Sequence, residues 1–373
     1  MKVLFVVGAL VLLAGIGAAQ TFDPGTPEGA MVSSIQKEAD PAKKQALLQD
    51  FVQKFPDSHL AGWAWGQLQT AYLQAKDYDK TIEAGEKSLA ADPDNVEVAY
   101  NNLKAAEAKN DADGVMKWSA VTSQAARKEI AGAKPGAADQ SRVDYAKQVD
   151  TYTEYSIYAT ALKTSDPAKI IALTESLEKR SPDSPYLGKA YGLYLNALQS
   201  TKQSEKAGAA AIRQLQRDPQ NEDALLVAAE YSMQQKNTDK TLQYSTKLTQ
   251  VMQSKAKPEE LADADWQKKK QTLLAFGFWM QGAAYNTQAH YADADKALRQ
   301  ALPLVKNDNR LMPMVLFQLG VADFQLGKSS KNTAMIKEAL NFSKQSAAVS
   351  SPVQVEAQNN VKAITKALGI GAH

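Results

Sequence analysis

Histidine is scarce in this sequence. His59, His290 and His373 are the only three, and there is no cysteine. The three histidines lie far apart, so none has the spacing of a zinc site or of a catalytic pair. The absence of cysteine excludes disulfides, thiolate metal sites and cysteine nucleophiles. No Walker loop, dinucleotide glycine pattern or nucleophile elbow occurs. The carboxylate pairs Asp263/Asp265 and Asp293/Asp295 are two residues apart, which on a helix turns them to different faces, so they read as solvated helix surface. Lys268-Lys269-Lys270 reads the same way, as a wet helix face that an acidic partner or anionic lipid could also use. A net charge of +2 over 373 residues gives no general positive field for nucleic acid. The chain is therefore read as no enzyme. No catalytic, cofactor-binding or metal-ligating residue is assigned, and no nucleic-acid partner is expected.

The elements around these residues begin with an apolar leader. Residues 3–19 carry no charge and follow Lys2, and Gly17-Ala18-Ala19 places small residues before Gln20. This is the pattern of a signal peptide over 1–19, with a stretch short for a membrane span. The mature chain is then exported, with periplasmic as the first expectation and no membrane span remaining; a secreted chain or an uncleaved anchor are the alternatives. Residues 20–30 (QTFDPGTPEGA) read as a flexible lead-in. Beyond it, 44% hydrophobic and 23% charged residues are ordinary for a folded protein.

The clearest repeat is Gly62–Asn95, of 34 residues. Counting from Gly62, Trp65 stands at 4, Leu68 at 7, Tyr72 at 11, Tyr78 at 17, Leu89 at 28 and Pro93 at 32. This spacing resembles the tetratricopeptide repeat (TPR), a helix-turn-helix unit. Its usual small residues at 8, 20 and 27 are here Gln69, Thr81 and Ser88. Further copies start at Thr151, Gly188, Glu222, Ala275 and Pro313; in the Ala275 copy Gly282, Ala294 and Ala301 supply all three small residues. Val96–Ile130 reads as a weak unit whose one large apolar landmark is Trp118. Asp40-Pro41 and Asp166-Pro167 mark helix starts, Pro258 is expected to start a long helix running to about Gln288, and Val353–Leu368 to cap the array. The expected organisation is repeats over 31–130, a linker at 131–141 around Gly132–Gly136, and further repeats with the capping helix over 142–373.

The resemblance implies an all-α fold, a right-handed superhelical solenoid, acting as a protein-interaction scaffold or adaptor. In TPR proteins positions 2, 5, 9 and 12 of the first helix line the concave groove. Here that stripe reads Trp63, Gly66, Thr70 and Leu73 in the Gly62 copy. It reads Phe276, Trp279, Ala283 and Asn286, then Met314, Phe317, Val321 and Phe324, in the last two copies. Only Lys189 and Asn196 match the residues of TPR domains that clamp a C-terminal carboxylate. The candidate partner-binding residues are Phe276, Trp279, Met314, Phe317, Phe324 and Trp63, an aromatic and apolar set suited to a protein or peptide. Burial of the stripe under a neighbouring helix is the competing reading. A helical small-molecule or glycan receptor using Phe276–Phe324, and an enzyme assembled across repeats, are the alternative functions.

Overall fold

The computed structural model describes residues 22–133, 137–259 and 261–369. The expected signal peptide, its cleavage position before Gln20, residues 134–136 of the mid-chain break and His373 lie outside them. Among the described residues the protein is all-α, with seventeen α-helices, one 3-10 turn at Leu302–Leu304 and no strand. In order they are α1 (Pro27–Lys37), α2 (Pro41–Lys54), α3 (Ala61–Gln74), α4 (Tyr78–Ala91), α5 (Val96–Ala108), α6 (Ala112–Gly132), α7 (Ala137–Lys163) and α8 (Pro167–Arg180). They continue as α9 (Pro185–Ser200), α10 (Ser204–Arg217), α11 (Glu222–Gln234), α12 (Thr238–Ser254), α13 (Asp263–Thr287), α14 (Tyr291–Ala301), α15 (Leu311–Ser329), α16 (Thr333–Ala347) and α17 (Gln354–Ala367).

The boundaries follow from capping chemistry. Asp40, Asp77, Asn95, Asp111, Asp166, Asn221, Asn237 and Asn332 each accept a backbone N–H of the helix they precede. At Asp40 and Asp166 a proline follows at the first helical position, where its missing N–H costs nothing. The turn that joins the two helices of a pair recurs in one form. Lys76, Asn110, Lys202, Lys236, Ala289 and Lys331 all have φ between 53° and 59°. In the first of these turns, Lys76 N–H donates to Leu73 O and Asp77 N–H to Tyr72 O. The same closure recurs at Asn110, Lys202, Lys236, Ala289 and Lys331. This left-handed residue ends α3, α5, α9, α11, α13 and α15 and sets the angle at which the following helix returns; α1 and α7 end without one.

The chain divides into two compact units between Ala190 and Tyr191, inside α9. In the first, α1 to α8 pack each on the next, and α3, α5 and α7 also touch in a row. Its core along α1 to α4 is built from Val32, Ile35, Leu48, Phe51, Leu60 and Leu68. In the second unit α10 to α17 pack in sequence, and α11, α13, α15 and α17 form the row. This is the neighbour pattern of stacked helix pairs, in which no pair buries its apolar face alone. Gly282 shows why small residues are needed there: a Cβ on it would lie 2.3 Å from Leu298 Cγ. Ala294 and Ala301 in the same copy are wholly buried.

Three expectations are corrected in detail. α1 begins at Pro27, capped by the Thr26 hydroxyl, four residues before the helix start read at Met31. The long helix begins at Asp263, because the Pro258 carbonyl instead accepts Leu261 N–H in a turn and Lys257 Nζ donates to Leu261 O. The unit Val96–Ile130 is tightly packed. Its seal comes from small residues such as Ala105, Ala106, Ser119, Ser123, Ala125 and Ala126.

Candidate functional site

The second-unit stripe is formed by the row of first helices. On α13, Phe276, Trp279, Ala283 and Asn286 are all half-buried, as are Met314, Phe317 and Val321 on α15. Phe276 and Trp279 meet edge to face with ring centroids 6.3 Å apart, and with Met314 they rest on the core of α13 to α15. Each keeps an exposed edge while its base is anchored, which is how an aromatic contact residue is held without losing its own freedom on binding. Phe324 differs. It is buried, packed with Ala339, Ile336 and Ile364, and Lys328 Nζ lies 5.3 Å from its ring. The stripe therefore loses its surface at that end, because α16 and α17 close over it. Trp279 Nε1 is buried with no hydrogen-bond partner among the described residues. Asn286 Nδ2 donates to Gln318 O and Oε1 at 2.9 and 2.8 Å, leaving Asn286 Oδ1 without a partner.

On α11 the stripe is polar. Gln199 Nε2 donates to Glu230 Oε2 at 2.7 Å, and burial pushes Glu230 above the ordinary carboxylate range. Asp295, expected to be plain solvated surface, is instead held by Arg299 at 2.7 Å and neighbours the buried Asp323. His290 stands at the N-cap position of α14 without a side-chain capping bond, and its ring lies 6.4 Å from the Tyr285 ring, a packing role.

The first unit carries a second stripe, which the sequence reading reached only at Trp63. Trp63 is half-buried on the α1 to α4 core, and its Nε1 is buried without a partner. From α3 the row passes to Glu97, Tyr100, Lys104 and Glu107 on α5, and to Tyr152, Tyr155, Ala159 and Leu162 on α7. Tyr100 and Tyr152 stack edge to face at 5.4 Å, Tyr152 and Tyr155 lie 5.9 Å apart, and Tyr155 meets Tyr186 at 5.7 Å. Tyr158 stacks on the same Tyr186 ring at 5.9 Å. Tyr155 and Leu162 are 38% and 53% exposed, so this face of α7 is open to solvent.

Charges are threaded through these rings. Lys104 Nζ sits 4.1 Å from the Tyr100 centroid, and Lys189 Nζ 5.7 Å from that of Tyr186. Glu107 accepts from the Tyr152 hydroxyl at 3.0 Å and from the Ser156 hydroxyl. Burial pushes Glu107 above the usual carboxylate range, although both hydroxyls and the charges of Lys163 and Lys104 pull it down. Burial likewise raises Glu97 and lowers Lys104. Tyr145 is pushed up to about 12 by burial and by the charge of Glu97, and Tyr152 is raised by burial and by Glu107.

The signal for this stripe was in the sequence. Val96 and Thr151 start copies in the same phase, and positions 2, 5, 9 and 12 of those copies are the residues just described. Among the described residues no group of three His, Asp or Glu side chains could hold a metal ion, and no helix is long and apolar enough to cross a membrane.

No family model matches the sequence, and no curated protein is similar enough to match. Among solved structures, the TPR domain of P58(IPK) is 11% identical, covering 92% of this chain and 99% of that one, with a TM-score of 0.32. The Cut9-Hcn1 hetero-tetramer of APC/C is 13% identical, covering 92% of this chain and 76% of that one, with a TM-score of 0.27. Scores this low carry no argument, so the assignment rests on the chain itself: recurring left-handed turns, paired helices in sequence, and small residues where the pairs touch. By that geometry the fold is a TPR-like array of helix pairs.

Proposed function

We propose that this protein is a non-enzymatic interaction scaffold of the bacterial envelope, which holds a protein partner along the concave side of its first helices. One observation carries the reading. Phe276, Trp279 and Met314 rest on a core cluster of the second unit, and together with the half-buried Phe317 they keep part of their surface exposed along α13 and α15. Half-buried aromatic anchors of this kind dominate the energetics of protein interfaces. The envelope location is supported by the uncharged residues 3–19 and the small residues before Gln20.

The test is capture from an envelope fraction by the tagged mature chain, compared with Trp279→Ala and Phe317→Ala variants whose melting is recorded alongside. A partner retained by the parent and lost by folded variants supports the reading. Equal capture by all three refutes it. N-terminal sequencing of the exported protein checks the location, and an intact Met1 would overturn cleavage at Gln20.

A further inference from the structure

Between the end of α5 and the face of α7 lies a cleft of about 510 Å³, lined by Glu107, Tyr152, Tyr155, Ser156, Ala159 and Lys163 among others. Its carboxylate is preorganised. Glu107 Oε2 accepts from the Tyr152 hydroxyl at 3.0 Å and Oε1 from the Ser156 hydroxyl, so the side chain cannot swing out to water without breaking both. The two donors are neutral, and no lysine or arginine among the described residues forms an ion pair with Glu107. Beside the carboxylate stand the rings of Tyr152 and Tyr155, the second 38% exposed.

We propose that this cleft receives a primary ammonium or guanidinium group, carried on a lysine or arginine side chain of the partner. The proposal rests on the scaffold reading above and specifies the partner's chemistry at one position. The same surface already shows the arrangement in internal form. One turn before Glu107 on α5, Lys104 places its ammonium 4.1 Å from the Tyr100 centroid, within the fields of Glu97 and Glu107. The cleft repeats the acid and the rings but supplies no cation at contact distance. A tyrosine face attracts a cation through its quadrupole, and a partly desolvated carboxylate beside it strengthens that attraction. An anion would meet Glu107 head on. A neutral ligand would cover a half-buried carboxylate without bringing a cation into contact with it, which is costly. Lys163, exposed at the rim, attracts Glu107 from a distance and is the group an incoming cation must displace.

The experiment titrates the full mature chain with acetyl-Gly-Lys-Gly-amide, whose only charge is the ammonium, and with the norleucine counterpart. The lysine peptide is expected to bind and the norleucine peptide not, up to ~10 mM, the weak range appropriate to one side chain. Glu107→Gln should weaken the lysine peptide roughly tenfold, the loss of one charge-assisted contact. Tyr155→Ala removes a ring that also meets Tyr152 and Tyr186, so its melting is recorded alongside, and in the folded variant the peptide should bind roughly threefold more weakly. Lys163→Ala should tighten it, since a competing cation is removed; a site for anions would respond in the opposite sense. Equal binding of the two peptides, no binding of the lysine peptide by the parent, or an unchanged affinity in Tyr155→Ala overturns the proposal. Capture of the envelope partner through Trp279 and Phe317 is a separate readout in the other unit, so the scaffold reading can survive that failure.

Discussion

Arg299 Nη2 lies 3.0 Å from Oδ2 of Asp323, a carboxylate with no solvent exposure. The same guanidinium also reaches Asp295 at 2.7 Å and Glu338 at 3.1 Å. One cation thus faces three acids, and the buried one is left worst served: Asp323 Oδ1 has no hydrogen-bond donor among the described residues. Burial first, then the hydrogen bond and charge of Asp295, push Asp323 up to about 7, against the pull of Arg299. A proton on Asp323 would remove one of the crowded negative charges beside Asp295 and give this carboxyl a hydrogen to donate.

That proton makes stability depend on pH in a stated direction. Unfolded, Asp323 titrates near the ordinary carboxylate value of about 3.9. Between there and about 7 the folded chain holds the proton more tightly, so stability falls as pH rises through this window and levels off above it. Asp323→Asn keeps an acceptor for Arg299 and a donor for Asp295 without needing the proton. It should match the parent at pH 5 and exceed it at pH 8 by about 2 kcal/mol, read from urea midpoints. Parallel pH profiles for the two proteins would show that Asp323 titrates normally.

Gly282 and Trp279 lie three residues apart on α13 and should respond differently. A Cβ at Gly282 already falls 2.3 Å from Leu298 Cγ, so Gly282→Leu must force α13 and α14 apart, at about 1–3 kcal/mol or more. Trp279 is half-buried with an unpaired indole N–H. Trp279→Ala should cost less than the ~3–5 kcal/mol of a fully buried large aromatic, and Trp279→Phe, which removes the orphaned donor, should be close to neutral. Thermal melts in which Trp279→Ala falls as far as Gly282→Leu would place Trp279 in the core and remove it from any binding face.

Much of this fold was legible because its signals are local. Asp40-Pro41 and Asp166-Pro167 announce helix starts by capping and a fixed φ, and both helices begin there. Pro258-Glu259 carries a similar signal but starts nothing, because a tertiary preference won: the segment turns so that Leu261 and Trp266 can reach the core of α11 to α13. The tyrosine stripe was harder to see for a related reason. Val96–Ile130 seals with alanine, serine and asparagine, which leave little trace in an apolar pattern, so the copy that supplies Tyr100 and Glu107 looked weak. Phe324 had the right position for a groove but lost its surface to α16 and α17, which periodicity within α15 cannot reveal.

The recurring turn gives a control internal to the chain. Ala289 and Asn110 occupy the same left-handed conformation, with φ of 59° and 53°. For alanine that conformation costs about 1–2 kcal/mol, whereas asparagine tolerates it. Glycine removes the strain but adds chain entropy of roughly 0.5–1 kcal/mol. Ala289→Gly should therefore stabilise by up to ~1 kcal/mol, while Asn110→Gly should be neutral or slightly unfavourable. Chemical denaturation of both variants checks this, and a gain at Asn110 equal to that at Ala289 would mean that relief of strain is not the cause.

The last expectation sets the repeat signature against the structure. Position 8 of a TPR first helix is usually small, yet here it is Gln69, which is wholly buried. Its Nε2 donates to Val98 O and to Asn102 Oδ1, both at 2.8 Å, tying α3 to α5 of the following pair. Gly85 makes room for the arrangement: a Cβ there would lie 2.2 Å from Asn102 Oδ1 and 2.4 Å from Gln69 Nε2. Gln69→Ala moves the sequence toward the family pattern, but it strips Asn102 Oδ1 of its donor when Asn102 Nδ2 already has no partner. A buried amide so abandoned costs about 1–3 kcal/mol, before the vacated volume is counted. Asn102→Ala in the Gln69→Ala background should cost less than in the parent, with a coupling of at least ~0.5 kcal/mol, because the second change removes the orphaned amide. Urea unfolding of the parent, the two single variants and the double variant measures that coupling. A stabilised Gln69→Ala, or strictly additive effects, would show that the Gln69–Asn102 hydrogen bond does not help to hold the two repeats together.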